Sequence, residues 1–163
     1  MVTAQIETDF CRAAEVAVLP AHQFAAAVTA LPLVSVDWVL INPDGQLLLG
    51  QCINASAYGW WFTPSGRIRK NEACAQALLR VGSEELGLRP DVCLKLLAKA
   101  RLMGAWDHFY PDSVFSTNVS THYVNLPHWL PLSWDEVASS NRPRVRNTAP
   151  GNGFRWPMPP STR

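Results

Sequence analysis

The chain is predicted to fold as an α+β domain built on a mixed β-sheet, and three observations carry that expectation. Leu33 to Ile41 is an aliphatic run of strand length. Asn42-Pro43-Asp44-Gly45 is a turn signal that returns the chain along Gln46 to Gln51 as a hairpin. Residues 72 to 86 read as a helix, and further strand-like runs follow it. Strands on both sides of a long helix fit a sandwich of helices and a mixed sheet.

Taken in order, residues 1–18 are a poorly determined leader, 19–140 the folded domain and 141–163 a tail. The leader carries Glu7 and Asp9 and no basic start, which argues against a secretory signal. Pro20 to Ala30 is rich in alanine and apolar residues and predicts a short helix. Trp60-Trp61-Phe62 reads as a strand that enters a loop at Pro64-Ser65-Gly66. Asn71 is a good N-cap for the long helix, and Glu72 follows where the helix dipole favours negative charge. Strong helix formers run from Ala73 to Leu79, and Gly87 sits where a C-terminal glycine stops a helix. Leu96 to Phe109 holds another strand, and Thr117 to Leu132 at least one more.

A length of 163 residues with 48% hydrophobic content supports one domain with an adequate core. The net charge of +1 gives no overall drive toward nucleic acid or membrane. No apolar run approaches the roughly 18 residues of a membrane span. Cys11, Cys52, Cys74 and Cys93 have no metal-ligand spacing with the four histidines, so they read as reduced thiols of a cytoplasmic protein. The tail differs in kind. No acidic residue follows Glu136, whereas Arg142, Arg144, Arg146, Arg155 and Arg163 do, among several prolines. It reads as a disordered, basic, Pro-rich segment.

Gly66 to Leu88 carries the chemistry. Gly66, Glu72, Arg80, Glu84, Glu85, Gly87 and Leu88 follow the spacing Gly-x5-Glu-x7-Arg-x3-Glu-Glu-x-Gly-aliphatic. Positions 81, 84 and 85 share a helix face at i, i+3 and i+4. Carboxylates there can hold Mg²⁺ or Mn²⁺, because hard cations take oxygen ligands and keep the rest of their shell for water and phosphate. Val81 leaves Glu84 and Glu85, enough for one ion. Taken alone, the Glu-Glu pair is a solvated face, and Glu72 and Arg80 are surface ion-pair partners worth roughly a few tenths of a kcal/mol. Seven positions at fixed gaps weigh against that bland reading.

The pattern resembles the Nudix box, and the resemblance implies the Nudix fold, an α/β/α sandwich with a mixed central sheet. From about Leu31 to Leu126 the chain is similar to the GDP-mannose mannosyl hydrolases within that superfamily. The likeness rests on Pro32-Leu33-Val34-Ser35-Val36-Asp37, on Gly59 to Arg67, on Trp106-Asp107-His108-Phe109-Tyr110 and on Thr121-His122-Tyr123-Val124. It implies a Mg²⁺-dependent hydrolase (Mn²⁺ serving as well) that puts water on the sugar C1 of a nucleotide sugar and releases GDP and hexose. It also implies a homodimer. Glu85 matches the metal-ligand glutamate, with Glu84 a weaker candidate. Ser65 matches the position whose backbone carbonyl joins the metal, where the family has glycine. Arg67 and Arg80 match diphosphate contacts, Arg80 supporting the leaving group. Asp37, His108, Tyr110 and Tyr123 match sugar- or diphosphate-side positions. Asp37 stands out without the resemblance too, since a carboxylate within an apolar strand needs partners.

The chain also departs from that pattern. Gln51 and Cys52 replace basic residues that help to hold the nucleotide. No histidine follows His128, so the Gln-His pair that supplies a metal ligand and the base has no counterpart, and the general base is unassigned. Codons for Arg146 to Trp156 can be chosen so that a shifted frame reads Glu-His-Arg-Ala-Trp-Gln-Trp-Leu-Pro-Leu, which carries the family's His-x-x-aromatic-x-Trp-Leu spacing. The tail therefore reads as a frameshifted C-terminus, which the nucleotide sequence decides. Two other functions fit the same residues: a Nudix pyrophosphohydrolase of another nucleoside diphosphate derivative, and a non-catalytic nucleotide-sugar binder or inactivated relic.

Overall fold

In the computed structural model, which describes residues 18–52, 59–140 and Trp156, two long strands form the spine. β1 (Leu33–Ile41) matches its expected bounds. It lies parallel to the last strand, Thr121–Pro131, in register from Leu33↔Tyr123 to Ile41↔Pro131. Between them the chain forms β2 (Gly50–Gln51), β3 (Trp61–Phe62), β4 (Ser65–Arg67), α2 (Cys74–Leu86), α3 (Pro90–Leu97), β5 (Arg101–Leu102) and β6 (Trp106–Tyr110). The last strand is thus β7; α1 (Ala21–Ala30) precedes β1, and α4 (Trp134–Ser140) follows β7.

The main sheet runs β4-β1-β7-β5, with β6 also paired to β7. β5 and β6 share one edge because β7 is long enough for both. It takes β6 along Thr121–Asn125 and β5 at His128 and Trp129. The parallel pair among antiparallel neighbours makes the sheet mixed, as expected.

The hairpin at Asn42 forms, but only at its base. Asn42 Oδ1 accepts from the N–H groups of Asp44 (3.1 Å) and Gln46 (2.8 Å), an Asx-type turn. Leu47 bridges Ile41, and the Leu48 N–H donates to Leu40 O. The returning segment was expected to continue as a strand to Gln51. Instead β4 occupies that edge of β1 at Ser35–Asp37, and β2 pairs with β3 in a separate two-stranded sheet.

The core lies between the sheet and α2. Val36, Trp38 and Leu40 alternate toward it from β1 and meet Ala77, Leu78 and Val81. Burial of each valine or leucine among them contributes about 1.5–3 kcal/mol. Trp38 Nε1 also donates to Leu78 O at 2.9 Å, which fixes the helix over the strand. Gly82 allows α3 to close in, since a Cβ there would meet Cys93 Sγ.

α2 ends as expected, with Gly87 in the left-handed conformation (φ 64°). Its start is later than 72. Asn71 takes φ 64° and does not cap. Glu72 turns back to accept the Arg69 N–H at 2.8 Å, so the helix begins at Cys74. Most of the leader and of the tail lies outside the described residues; Trp156 packs against the core.

Candidate functional site

A cavity of about 510 Å³ opens beside the sheet. β1 contributes Ser35 and Asp37, β4 contributes Ser65, Gly66 and Arg67, and β6 and β7 contribute His108, Tyr110, Thr121 and Tyr123. Phe24 and Val28 of α1 form one wall, and Glu85 reaches in from α2. Strand alternation produces this selection. His108 and Tyr110 pair with Tyr123 and Thr121 and share a face. The intervening Asp107, Phe109 and His122 face the other way. There His122 Nε2 lies 2.8 Å from Asp107 Oδ1, and its ring stacks on Phe109 at 4.4 Å.

Asp37 sits in a polar network that sequence reasoning did not anticipate. Thr63 Oγ1 donates to Asp37 Oδ2 at 2.7 Å. Asn125 is a second side-chain neighbour, one that lowers the Asp37 pKa. Ser35 Oγ donates to Asn125 Oδ1 at 3.0 Å, which leaves the Asn125 amide N–H₂ to donate to Asp37. Burial raises the Asp37 pKa, while these hydrogen bonds and the charges of His108 and His128 pull it back. The one available signal was Asn125, a polar residue interrupting an apolar strand.

Arg67 lies across β1 from Ser35, with its guanidinium stacked on the Phe24 ring at 3.6 Å. Phe24 in turn meets Phe115 edge-on at 5.3 Å. Burial raises the pKa of Tyr123 and of Tyr110, so both remain phenols that can donate at neutral pH.

The box residues divide in a way their spacing did not reveal. Glu85 is buried (6% exposed) and lines the cavity. Val81 is 1% exposed and packs beneath Gly66, where a Cβ would meet Val81 Cγ2 at 2.6 Å. Glu84 was expected on the same face as Glu85. Its side chain is 41% exposed, directed toward Arg80 (3.2 Å) and Arg69 (3.5 Å) and outside the cavity lining. Arg80, expected on the diphosphate, is not a lining residue either. Its Nε and Nη2 donate to the Glu72 carboxylate at 2.6 and 2.9 Å, and Nη2 also to Arg67 O at 2.8 Å. Glu72 is 3% exposed on its side chain and Arg80 17%, so this is no surface pair. The arginine clasps the box loop to α2.

A hard cation fits the remaining donors in kind: the Glu85 carboxylate and the Ser65 backbone carbonyl, with phosphate oxygens completing a shell. Among the described residues no group of three or more His, Cys, Asp or Glu side chains could hold a metal. Gln51 and Cys52 bring no charge. Gln51 Nε2 donates to Gly59 O at 3.0 Å, and Cys52 lines the cavity. Among the described residues, Cys74 and Cys93 are free thiols.

The NUDIX domain model matches residues 31–156, which takes in the sheet, the box and every cavity-lining residue named above except Phe24 and Val28. The chain belongs to the NUDIX domain family. It is 42% identical over 119 residues to the low-salt glycan biosynthesis protein Agl8 of Haloferax volcanii, covering 73% of this chain and 71% of that protein. Among solved structures, the MutT NUDIX hydrolase of Burkholderia pseudomallei is 25% identical, with a TM-score of 0.52 over 78% of this chain and 88% of that one. A bifunctional NMN adenylyltransferase/ADP ribose pyrophosphatase from Francisella tularensis, complexed with AMP and manganese, gives a TM-score of 0.53 at 20% identity. It covers 83% of this chain, which spans only 36% of that longer protein. The Nudix fold is thereby established for this α+β domain, and Nudix hydrolases are the class to which its site belongs. No helix among the described residues is long and apolar enough to cross a membrane.

Proposed function

We propose that the chain is a Nudix hydrolase of nucleotide sugars of the GDP-mannose type, which cleaves between the sugar C1 and the diphosphate. One observation carries this reading: residues drawn from separate motifs, Asp37, Arg67, Glu85, His108, Tyr110 and Tyr123, line a single cavity. Arg67 supplies a planar cation suited to phosphate oxygens. Glu85 and the Ser65 carbonyl would hold Mg²⁺ or Mn²⁺, which when bound neutralises charge on a departing diphosphate. Asp37, His108 and the two tyrosines supply hydrogen-bonding groups and ring faces for the sugar. Arg80 acts through the box loop, keeping Arg67 and Gly66 in place. The relation to a glycan biosynthesis protein, Agl8, agrees with a nucleotide-sugar ligand.

Incubation with GDP-mannose and Mg²⁺ in ¹⁸O-water tests this. Label in the hexose is the expected result. Label in phosphate would instead make the chain a pyrophosphohydrolase. Binding without turnover would make it a nucleotide-sugar binder.

A further inference from the structure

The cavity floor holds a carboxylate where a diphosphate must also be accommodated. At about 4 Å, like charges repel by roughly 4 kcal/mol at an effective dielectric constant of 20. Asp37 therefore has to face an uncharged part of the ligand. The strand register sets the Asp37 carboxylate apart from the Arg67 guanidinium. Arg67 lies opposite Ser35 and Asp37 opposite Ser65, two residues or about 7 Å further along β1.

What makes this carboxylate selective is how it is held. Thr63, from the β3–β4 connection, donates to it at 2.7 Å, and Asn125 of β7 is a second polar neighbour that lowers its pKa. Asn125 is itself oriented by Ser35. A carboxylate accepts about four hydrogen bonds, so acceptor capacity remains for the cavity. The carboxylate cannot rotate away without breaking the Thr63 bond.

We propose that Thr63 and Asn125 are positioning residues that fix the Asp37 carboxylate as an acceptor for sugar hydroxyls, and so make the site prefer a nucleotide sugar over the bare nucleoside diphosphate. This rests on the nucleotide-sugar reading above. Thr63→Val keeps the shape and removes the donor; Thr63→Ser restores it. Calorimetry with the full chain and Mg²⁺ compares GDP-mannose with GDP, and Mn²⁺ alone serves as the metal probe. Thr63→Val weakens GDP-mannose binding about ten-fold, the scale of one hydrogen bond to a charged group. GDP and Mn²⁺ affinities change less than two-fold, and Thr63→Ser recovers GDP-mannose binding. Should Thr63→Val not fold, Asn125→Ser carries the same expectation for GDP-mannose against GDP. An equal loss for GDP-mannose and GDP, a loss of Mn²⁺ binding, or failure of the serine to rescue overturns the proposal. A parent protein that binds neither nucleotide sinks the nucleotide-sugar reading and this proposal together. A parent that binds GDP-mannose no more tightly than GDP sinks this proposal alone.

Discussion

Glu72→Gln removes the charge from the clasp between the box loop and α2 while keeping its shape. Three donors converge on this carboxylate: Arg80 Nε at 2.6 Å, Arg80 Nη2 at 2.9 Å and the Arg69 N–H at 2.8 Å. Glutamine keeps one acceptor oxygen and turns an amide N–H₂ toward the guanidinium. An oxygen kept at the Oε2 position still accepts from Arg80 Nη2 and the Arg69 N–H, so the Nε bond is lost outright, at about 1.5 kcal/mol, and the other two lose their charge assistance, together about as much again. Glu84 still faces Arg80 at 3.2 Å, so the arginine is not stranded without a counter-charge. The expected loss is about 3 kcal/mol, which for a chain of this size lowers the melting temperature by about 9 °C. Thermal melts and urea denaturation measure it, the latter as a lower midpoint at an unchanged m-value. Exchange of the Arg69 amide also quickens. A variant melting within about 2 °C of the parent would refute the reasoning, because the pair would then behave as an ordinary surface ion pair.

Three further expectations follow from the same geometry. Glu85→Gln abolishes or severely weakens Mn²⁺ binding, read by calorimetry, whereas Glu84→Gln changes it less than two-fold; the reverse order would reassign the ligand. Gly66→Ala drives a methyl group into Val81 Cγ2 and costs about 1–3 kcal/mol. Adding Val81→Ala relieves part of that cost, so a double-mutant cycle gives coupling above about 0.5 kcal/mol, and additive effects would disprove the contact. His128 is buried, which lowers its proton affinity, and its Nδ1 lies 2.9 Å from Leu126 O. The unfolded chain therefore binds that proton more tightly than the fold does. The resulting stability is complete above about pH 6.5 and declines as the pH falls through the lower folded value. Denaturation midpoints at pH 7.5 and 5.5 should diverge less in His128→Gln; an unchanged gap would remove histidine as the cause.

Much of the frame could be read from local signals. β1 was legible from its aliphatic run and its Asx turn, and the end of α2 from Gly87, because each is decided by neighbouring residues. The start of α2 was not. Glu72 satisfies the Arg69 N–H and the Arg80 guanidinium, a preference visible only once loop and helix are packed. The same distinction governs the site. The spacing of the box put Glu84 and Glu85 together, but only the core decides which points inward, and it admits Val81 and Glu85 at i and i+4. Thr63 gave no signal and Asn125 only that of a lone polar residue, because their meaning lies in strand register. Neither has a partner nearby in sequence, and both become intelligible once β7 and the β3–β4 turn flank Asp37.

The alternation along β6 and β7 has a consequence for how this site can change. Cavity and outer surface alternate along the same two paired strands, His108, Tyr110, Thr121 and Tyr123 on one side, Asp107, Phe109 and His122 on the other. Point substitutions on the outer side leave the cavity's chemistry untouched, so that surface can drift freely. A single-residue insertion or deletion within either strand cannot be absorbed in the same way. It would exchange the two sets along that strand, in β6 replacing an imidazole and a phenol with a carboxylate and a phenyl ring. The sheet thus tolerates spelling changes in one alphabet and forbids a shift of the line.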